Sequence, residues 1–337
     1  MAKIAIRADG GSQIGIGHIM RTLVLAKELA KTNEIFYVCR RDNPLSDKYS
    51  VGIEKLKKEG FKVIDIDEND FLSELKKIDA DCLITDSYDV DENYFKETKR
   101  MFKKTGYFND MNLYYFDVDF IINQNINAED YKYNADKRTK LLLGTSFVLL
   151  RDEFRKTGIK RLNENVNDIL ITLGGSDFNN YTGELIEYIK ELKYKFHIVV
   201  GPSFNNVVEL MEYEKGYENI KLYFNANMKE LMEKCDLAIS ACGSTLYELA
   251  ACGVPTIGVV VAENQDKIAK KMEEKKAIIN LGKIEYLNKE KIVNVVTGIS
   301  NNLNNRIELS INGNKVVNIN GVEKLSNVIN SIINENI

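Results

Sequence analysis

The sequence predicts an α/β protein built from two doubly wound, Rossmann-like domains with a ligand cleft between them. Three observations predict it. The chain has 337 residues, enough for two separate cores. Short apolar runs alternate with helix-period segments, the pattern of parallel strands joined by covering helices. Both halves also open alike, with a strand, a Gly-rich turn and a helix. In the first, Ile4–Ala8 leads to Gly15-Ile16-Gly17; in the second, Asp168–Leu173 leads to Gly174-Gly175-Ser176.

In the first half the strands are expected at Ile4–Ala8, Ile35–Cys39, Lys62–Ile66, Cys82–Asp86, Gly106–Asn109 and Phe120–Asn123. Amphipathic stretches at Ile19–Lys31, Ser46–Glu59, Phe71–Ile78 and Glu92–Lys104 read as the helices between them. Asn123 to Lys140 is polar and irregular, and Leu141–Leu143 and Phe147–Leu150 return to strand character. Arg151 to Asn165 is charged and poor in apolar residues, so it reads as a linker between domains at 1–155 and 165–337. The second half continues with strands Phe196–Gly201, Ile220–Phe224, Leu237–Ser240 and Thr256–Val261. Helices are expected at Tyr181–Leu192, Asn206–Glu214, Met228–Lys234, Thr245–Ala251 and Gln265–Lys275. A closing amphipathic helix, Val317 to Ile332, belongs to the second domain or packs back on the first.

Composition narrows the function. A formal net charge of −4 gives no electrostatic reason to expect nucleic acid or an anionic membrane as partner. No apolar run reaches membrane-spanning length, and the N-terminus lacks the apolar core of a signal peptide. Five cysteines without a Cys-x-x-Cys pair fit reduced thiols and a cytoplasmic protein. With two histidines in the chain, a structural zinc site is not expected, and neither a metal nor another cofactor is called for.

The candidate site residues follow the two turns. Glycines at Gly15 and Gly17 let the backbone approach a ligand, and a helix N-terminus suits phosphate. His18 stands where turn becomes helix, with an unperturbed pKa of about 6.5 that suits a general base. Asp9 is a candidate to orient it. The stretch is an incomplete dinucleotide fingerprint, since Met20 replaces the third glycine. Arg40-Arg41 after the second strand fits an NADP reading, which leaves the second Gly-rich turn without a role. His197, inside an apolar strand, reads as structural.

In the second half Gly174, Gly175 and Ser176, at a strand end before a helix, are placed to hold a diphosphate. Gly243-Ser244-Thr245 repeats the arrangement, and Glu248 one turn on can accept two ribose hydroxyls. Taken singly, Ser244 also reads as an N-cap and Glu248 as a first-turn acid. Asn264 and Gln265, with Glu263, follow the next strand and suit sugar hydroxyls and acetamido groups. Asp86-Ser87-Tyr88 is placed similarly in the first half.

Together these residues resemble a known family over nearly the whole chain. Gly-x-Gly-His-Ile-Met-Arg, Ile121-Ile122-Asn123-Gln124-Asn125 and Leu149-Leu150-Arg151-Asp152-Glu153-Phe154 carry it in the first half and linker. Gly174-Gly175-Ser176-Asp177 and Cys242-Gly243-Ser244-Thr245-x-x-Glu248-x-x-Ala251-x-Gly253-x-Pro255 carry it in the second. They look like the UDP-2,4-diacetamido-2,4,6-trideoxy-β-L-altropyranose hydrolases of pseudaminic acid biosynthesis. The second-half signature is shared with wider GT-B proteins, so it speaks for UDP-sugar binding rather than for hydrolysis. The resemblance implies a GT-B fold and UDP held mainly by the C-terminal domain. It also implies His18 as the base that activates water, Glu248 on the ribose, Met228 beside the uracil, and Tyr88 and Asn264 near the sugar. Cys242 stands where the family usually has glycine, and Ser87 where bulkier residues are common. Spore-coat polysaccharide proteins share the motifs, and a GT-B glycosyltransferase is the alternative activity. The expected reaction is inverting attack of water at the anomeric carbon, with UDP as leaving group.

Overall fold

The computed structural model describes residues 1–156, 158 and 160–335. Thr157 and Ile159 of the expected linker, and Asn336 and Ile337 at the expected end of the second domain, lie outside the described residues. The chain divides into two units. Unit 1 takes Met1–Leu149 and the chain from Asn320 on; unit 2 takes Leu150–Ile319.

Unit 1 contains strands β1 (Lys3–Ala8), β2 (Glu34–Arg41), β3 (Lys62–Asp67), β4 (Cys82–Asp86), β5 (Lys104–Phe108), β6 (Phe120–Asn123) and β7 (Lys140–Leu143). Its helices are α1 (Gly17–Leu29), α2 (Asp47–Lys58), α3 (Phe71–Leu75) and α4 (Glu92–Met101), with the chain's last helix added to them. All seven strands are parallel, in the order β3-β2-β1-β4-β5-β6-β7. Strand order reverses between β1 and β4, whose ends meet at the pair Ala8 and Asp86. Such a switch point opens a crevice beyond the strands' carboxyl ends.

Phe147–Leu150, expected as a strand, is a 3-10 turn at Thr145–Phe147 followed by extended chain with no sheet partner among the described residues. Its apolar character is spent otherwise: Val148, Leu149 and Leu150 are buried.

Unit 2 contains β8 (Asp168–Thr172), α5 (Tyr181–Ile189), β9 (Lys195–Val200), α6 (Val207–Gly216), β10 (Ile220–Phe224), α7 (Met228–Lys234), β11 (Leu237–Ala241), α8 (Thr245–Ala251), β12 (Thr256–Val260), α9 (Asp266–Glu274), β13 (Ile279–Lys283), α10 (Lys289–Ser300) and α11 (Leu303–Val316). The six strands are parallel, in the order β10-β9-β8-β11-β12-β13. Here the switch point falls between β8 and β11, where Thr172 pairs with Ser240. The two Gly-rich turns of this unit therefore leave adjacent strands side by side.

Three elements are additions to the sequence reading: β13, α10 and α11. β13 carries Asn280, Gly282 and Lys283 in five residues, too polar to stand out as a strand. α11 buries only Arg306, Leu309 and Gly313, so its apolar stripe is faint. Asn288 and Asn302 cap α10 and α11, accepting from the N–H groups of Lys291 and Asn305.

The last helix, α12 (Gly321–Asn334), belongs to unit 1. Val322, Leu325, Ile329, Ile332 and Ile333 recur at helical spacing and join the core formed by Ile4, Ile6, Leu25 and Leu29. Gly321 allows the approach, since a Cβ there would lie 2.5 Å from the Val148 carbonyl oxygen.

The turn after β1 is fixed by α2. Gly52 donates its N–H to the Gly10 carbonyl at 3.0 Å, and Ser12 donates to that of Asp47 at 2.9 Å. A Cβ on Gly11 would lie 1.9 Å from the Lys48 carbonyl oxygen, whereas one on Gly17 would meet nothing within 4 Å. Gly11→Ala is thus expected to destabilise unit 1 by about 1–3 kcal/mol, an overpacking cost that backbone cannot relieve. Gly17→Ala is expected to leave stability unchanged or raise it by about 0.4–1 kcal/mol. Denaturant titrations of the two variants check the contrast; equal midpoints would refute it.

Candidate active site

His18 is the second residue of α1 and is buried. Its Nδ1 lies 2.7 Å from Asp86 Oδ1. Asp86 ends β4 across the switch point and is fully buried. Arg21, one turn along α1, donates Nε to Asp86 Oδ2 at 2.5 Å and Nη2 to Asp86 Oδ1 at 2.6 Å. Burial by itself would raise the Asp86 carboxyl. Arg21 and then His18 outweigh it and hold the group down at about 2. An ionised carboxylate only accepts, so the proton in the His18 pair sits on Nδ1. The Nε2 lone pair is left as the basic site.

The network continues outward. Arg21 Nη1 donates to Asp110 Oδ2 at 2.6 Å, and the Tyr88 hydroxyl donates to the same oxygen at 3.0 Å. Asn125 Nδ2 donates to Asp110 Oδ1 at 3.1 Å. Tyr88 stands edge-on to the imidazole, with ring centroids 4.6 Å apart. Asp86, Asp110 and Asn125 thus come from the carboxyl ends of three neighbouring strands, β4, β5 and β6. Gln124, beside Asn125, accepts from the Leu149 N–H at 2.6 Å. The small Ser87 accepts the Asp89 N–H through its hydroxyl and the Tyr107 hydroxyl through its carbonyl.

Asp9 does not orient His18. It is buried, and its carboxylate accepts the Arg40 N–H at 2.7 Å and Arg40 Nε at 2.9 Å. Asp86 takes the place expected for it: its carboxylate meets His18 and Arg21, while that of Asp9 is turned to Arg40. Arg40 also pairs with Asp89. The guanidinium that an NADP reading requires is occupied by carboxylates.

Gly15 has φ of +78° and closes the turn by exchanging backbone hydrogen bonds with Gly11. The first turn of α1 contains no acidic residue, and Ile16 before it offers no side-chain cap. The N–H groups that a helix leaves without partners there are available to an anion.

In unit 2, Gly174 has φ of +109°, and Ser176 bridges to Ser203 beside it. The expected helix dipole behind this turn is absent. α5 begins five residues after Ser176, and Asp177 consumes its first N–H groups, accepting from Tyr181 at 2.9 Å and Thr182 at 2.7 Å. Any diphosphate contact by Gly174, Gly175 and Ser176 must come from the turn itself.

α8 starts directly at Gly243-Ser244-Thr245, and Ser244 makes no side-chain cap, so its simple capping role is not met. Gln265 comes close: its Nε2 would lie 3.7 Å from a Cβ on Gly243, while its Oε1 accepts the Val261 N–H. Cys242 fits where glycine is usual because Gly258 faces it; a Cβ on Gly258 would lie 2.8 Å from the sulfur. Glu248 is held on both oxygens by Arg151, from Nε at 2.7 Å and Nη2 at 2.9 Å. Met228 begins α7, half-buried, and Asn264 lies exposed after β12. All stand at the carboxyl side of the sheet, as the topology requires. His197 is bonded through both nitrogens, to Tyr223 and Asp168, which suits a structural residue.

Comparison with known proteins places the family and the fold. Residues 157–325, half of the chain, match the glycosyltransferase family 28 C-terminal domain. The chain belongs to this family. An uncharacterized protein of Methanocaldococcus jannaschii is 34% identical over 78% of the chain, which spans 56% of that protein's length. The UDP-2,4-diacetamido-2,4,6-trideoxy-β-L-altropyranose hydrolase of Campylobacter jejuni is 25% identical over 79% of the chain and 94% of its own. The spore coat polysaccharide biosynthesis protein SpsG of Bacillus subtilis is 24% identical over 99% of both chains. Acinetobacter baumannii MurG superposes with a TM-score of 0.70 at 14% identity, over 98% of this chain and 100% of its own. The family 28 member is therefore a GT-B protein in fold, and the hydrolase resemblance read from its motifs is borne out. Among the described residues no helix is long and apolar enough to cross a membrane.

Arg21, Asp110 and Arg151 were given no role from sequence. Arg21 and Arg151 stood inside quoted motifs. Asp110 carried one signal, a carboxylate just beyond the end of a central parallel strand.

The Asp86 pairing has a measurable consequence. A carboxyl depressed in the folded state contributes stability above its unfolded pKa of about 3.9, lost as pH falls through the folded value. The stability gap between wild type and Asp86→Asn should narrow by about 2 kcal/mol as pH falls from neutral towards 2. Denaturant midpoints across that window check it, and a gap that stays constant would contradict the pairing.

Proposed function

We propose that this protein hydrolyses a UDP-linked 2,4-diacetamido-2,4,6-trideoxy sugar to free sugar and UDP in the cytoplasm, as a step in nonulosonic acid biosynthesis. The observation that carries the reading is the contact of His18 Nδ1 with the buried Asp86 carboxylate at 2.7 Å, which directs the ring proton to Nδ1 and leaves the Nε2 lone pair to take a proton. In this mechanism Nε2 takes a proton from water as the water oxygen bonds to the anomeric carbon. The bond from that carbon to the β-phosphate oxygen breaks, and its electron pair leaves with UDP. The configuration inverts. Asp86 stabilises the imidazolium without accepting the proton, as in other carboxylate–histidine pairs. Alkoxide leaving groups need a general acid; a nucleoside diphosphate does not.

Unit 2 is assigned the UDP. Gly174, Gly175 and Ser176 and the start of α8 at Gly243, Ser244 and Thr245 take the diphosphate. Glu248 takes the ribose and Met228 the uracil. Tyr88, Asn264 and Gln265 take the sugar, and the first turn of α1, with Gly15 and Gly17, assists. Asp9 acts only indirectly, through Arg40. The hydrolase named among the relatives supports the substrate class.

A second reading, transfer to an acceptor, has one feature in its favour. Directly after Asp110, the side chains of Met111, Leu113 and Tyr115 stand exposed on one short segment, an apolar footing of the kind an acceptor needs.

An NMR time course with the UDP-diacetamido sugar in water separates the readings. Free sugar of inverted anomeric configuration is expected from wild type. His18→Asn should lose at least 10²-fold in rate while its UDP affinity stays within about threefold. A loss under about tenfold would remove His18 from the chemistry. Consumption of substrate only when a lysate supplies an acceptor would favour transfer.

A further inference from the structure

Glu248 and Arg151 are separated by 97 residues, yet the guanidinium meets both carboxylate oxygens as a parallel fork. Arg151 is itself held from two further sides. Its guanidinium lies 4.8 Å over the centroid of Phe154, a fully buried ring, and its Nη1 reaches Glu153 at 3.0 Å. The Glu248 side chain is 13% exposed and that of Arg151 29%. This is an arranged pair within unit 2, not a flexible surface contact.

The fork uses one lone pair on each oxygen of Glu248 and leaves one on each. Two acceptors on a planar, oriented carboxylate match two neighbouring hydroxyls. Burial pushes the Glu248 carboxyl above its ordinary value, towards the neutral form that has one acceptor fewer; Arg151 pulls it back part of the way, and Glu153 adds a little to the rise.

We propose that Arg151 is a positioning residue for nucleoside recognition: it fixes the plane and the charge of the Glu248 carboxylate so that the remaining lone pairs accept the 2′- and 3′-hydroxyls of ribose. Arg151 thereby sets the preference for a ribonucleotide over its 2′-deoxy counterpart without touching the ligand. The inference rests on the reading of Glu248 as the ribose group and adds the residue that makes it competent.

Calorimetric titration of wild type, Arg151→Met, Arg151→Lys and Glu248→Gln with UDP and with 2′-deoxy-UDP tests it. Wild type should favour UDP by about 10- to 100-fold, the range of a hydrogen bond to a charged group. In Arg151→Met the preference should fall to within about threefold of unity, with UDP losing more affinity than 2′-deoxy-UDP, which keeps only the 3′-hydroxyl contact. Glu248→Gln should behave alike. Arg151→Lys keeps the charge without the fork and should fall between them. A residue that merely supports the fold would weaken both ligands by one factor and leave the ratio unmoved, and that result overturns the proposal. So does a wild-type ratio retained in Arg151→Met. If Arg151→Met does not fold, an undiminished ratio in Arg151→Lys overturns it equally. Wild type that binds UDP without preferring it refutes the ribose role of Glu248 and this inference, leaving the hydrolase standing. Wild type that does not bind UDP refutes the proposed function as well.

Discussion

A carboxylate with no access to water must be compensated, and in unit 1 that requirement falls on Asp86. It ends a central strand at the switch point, where no bulk solvent can pair with it. Arg21 and His18, one helical turn apart on α1, are the groups that meet it. The spacing of those two residues, the register of β1 against β4 and the seating of α1 are one arrangement. If α1 shifted by a residue, Asp86 would lose its partners and His18 its orientation together. Asp110 extends the same logic, because the face of Arg21 turned from Asp86 would otherwise be a half-satisfied, largely desolvated cation.

Unit 2 repeats the topology with a different emphasis. Its switch point is built from backbone: two Gly-rich turns leave β8 and β11 together, and one half-buried carboxylate, Glu248, stands a turn inside the following helix. In both units an arginine nearby in space forks onto that carboxylate, Arg21 in one and Arg151 in the other. The recurrence comes from physics more than from sequence. An acid needed near a ligand site at the end of a parallel sheet is partly desolvated, and a guanidinium is the side chain that satisfies a carboxylate from two directions at once.

The alternation of apolar runs and helical periods was enough to place most strands and helices, since a parallel sheet covered on both faces demands continuous apolar strands. β13 escaped because a sheet edge tolerates Asn280 and Lys283. α11 escaped because so little of it is buried. At the site, His18 and the glycines were legible as a motif. The identity of the orienting acid was not, because Asp9 and Asp86 both follow strands and only the pairing of β1 with β4 decides between them. The role expected for the start of α5 failed on one residue, Asp177, whose capping bonds cannot be read without the turn's path. Pairings such as Arg151 with Glu248 join distant stretches, and no local pattern announces them.

In the proposed mechanism His18 delivers water to carbon rather than to phosphorus. Hydrolysis of the UDP-sugar in water enriched in oxygen-18, followed by mass spectrometry of both products, tests it directly. Attack at carbon puts the label in the anomeric hydroxyl of the released sugar and none in UDP. Label in the β-phosphate of UDP, with unlabelled sugar, would contradict it.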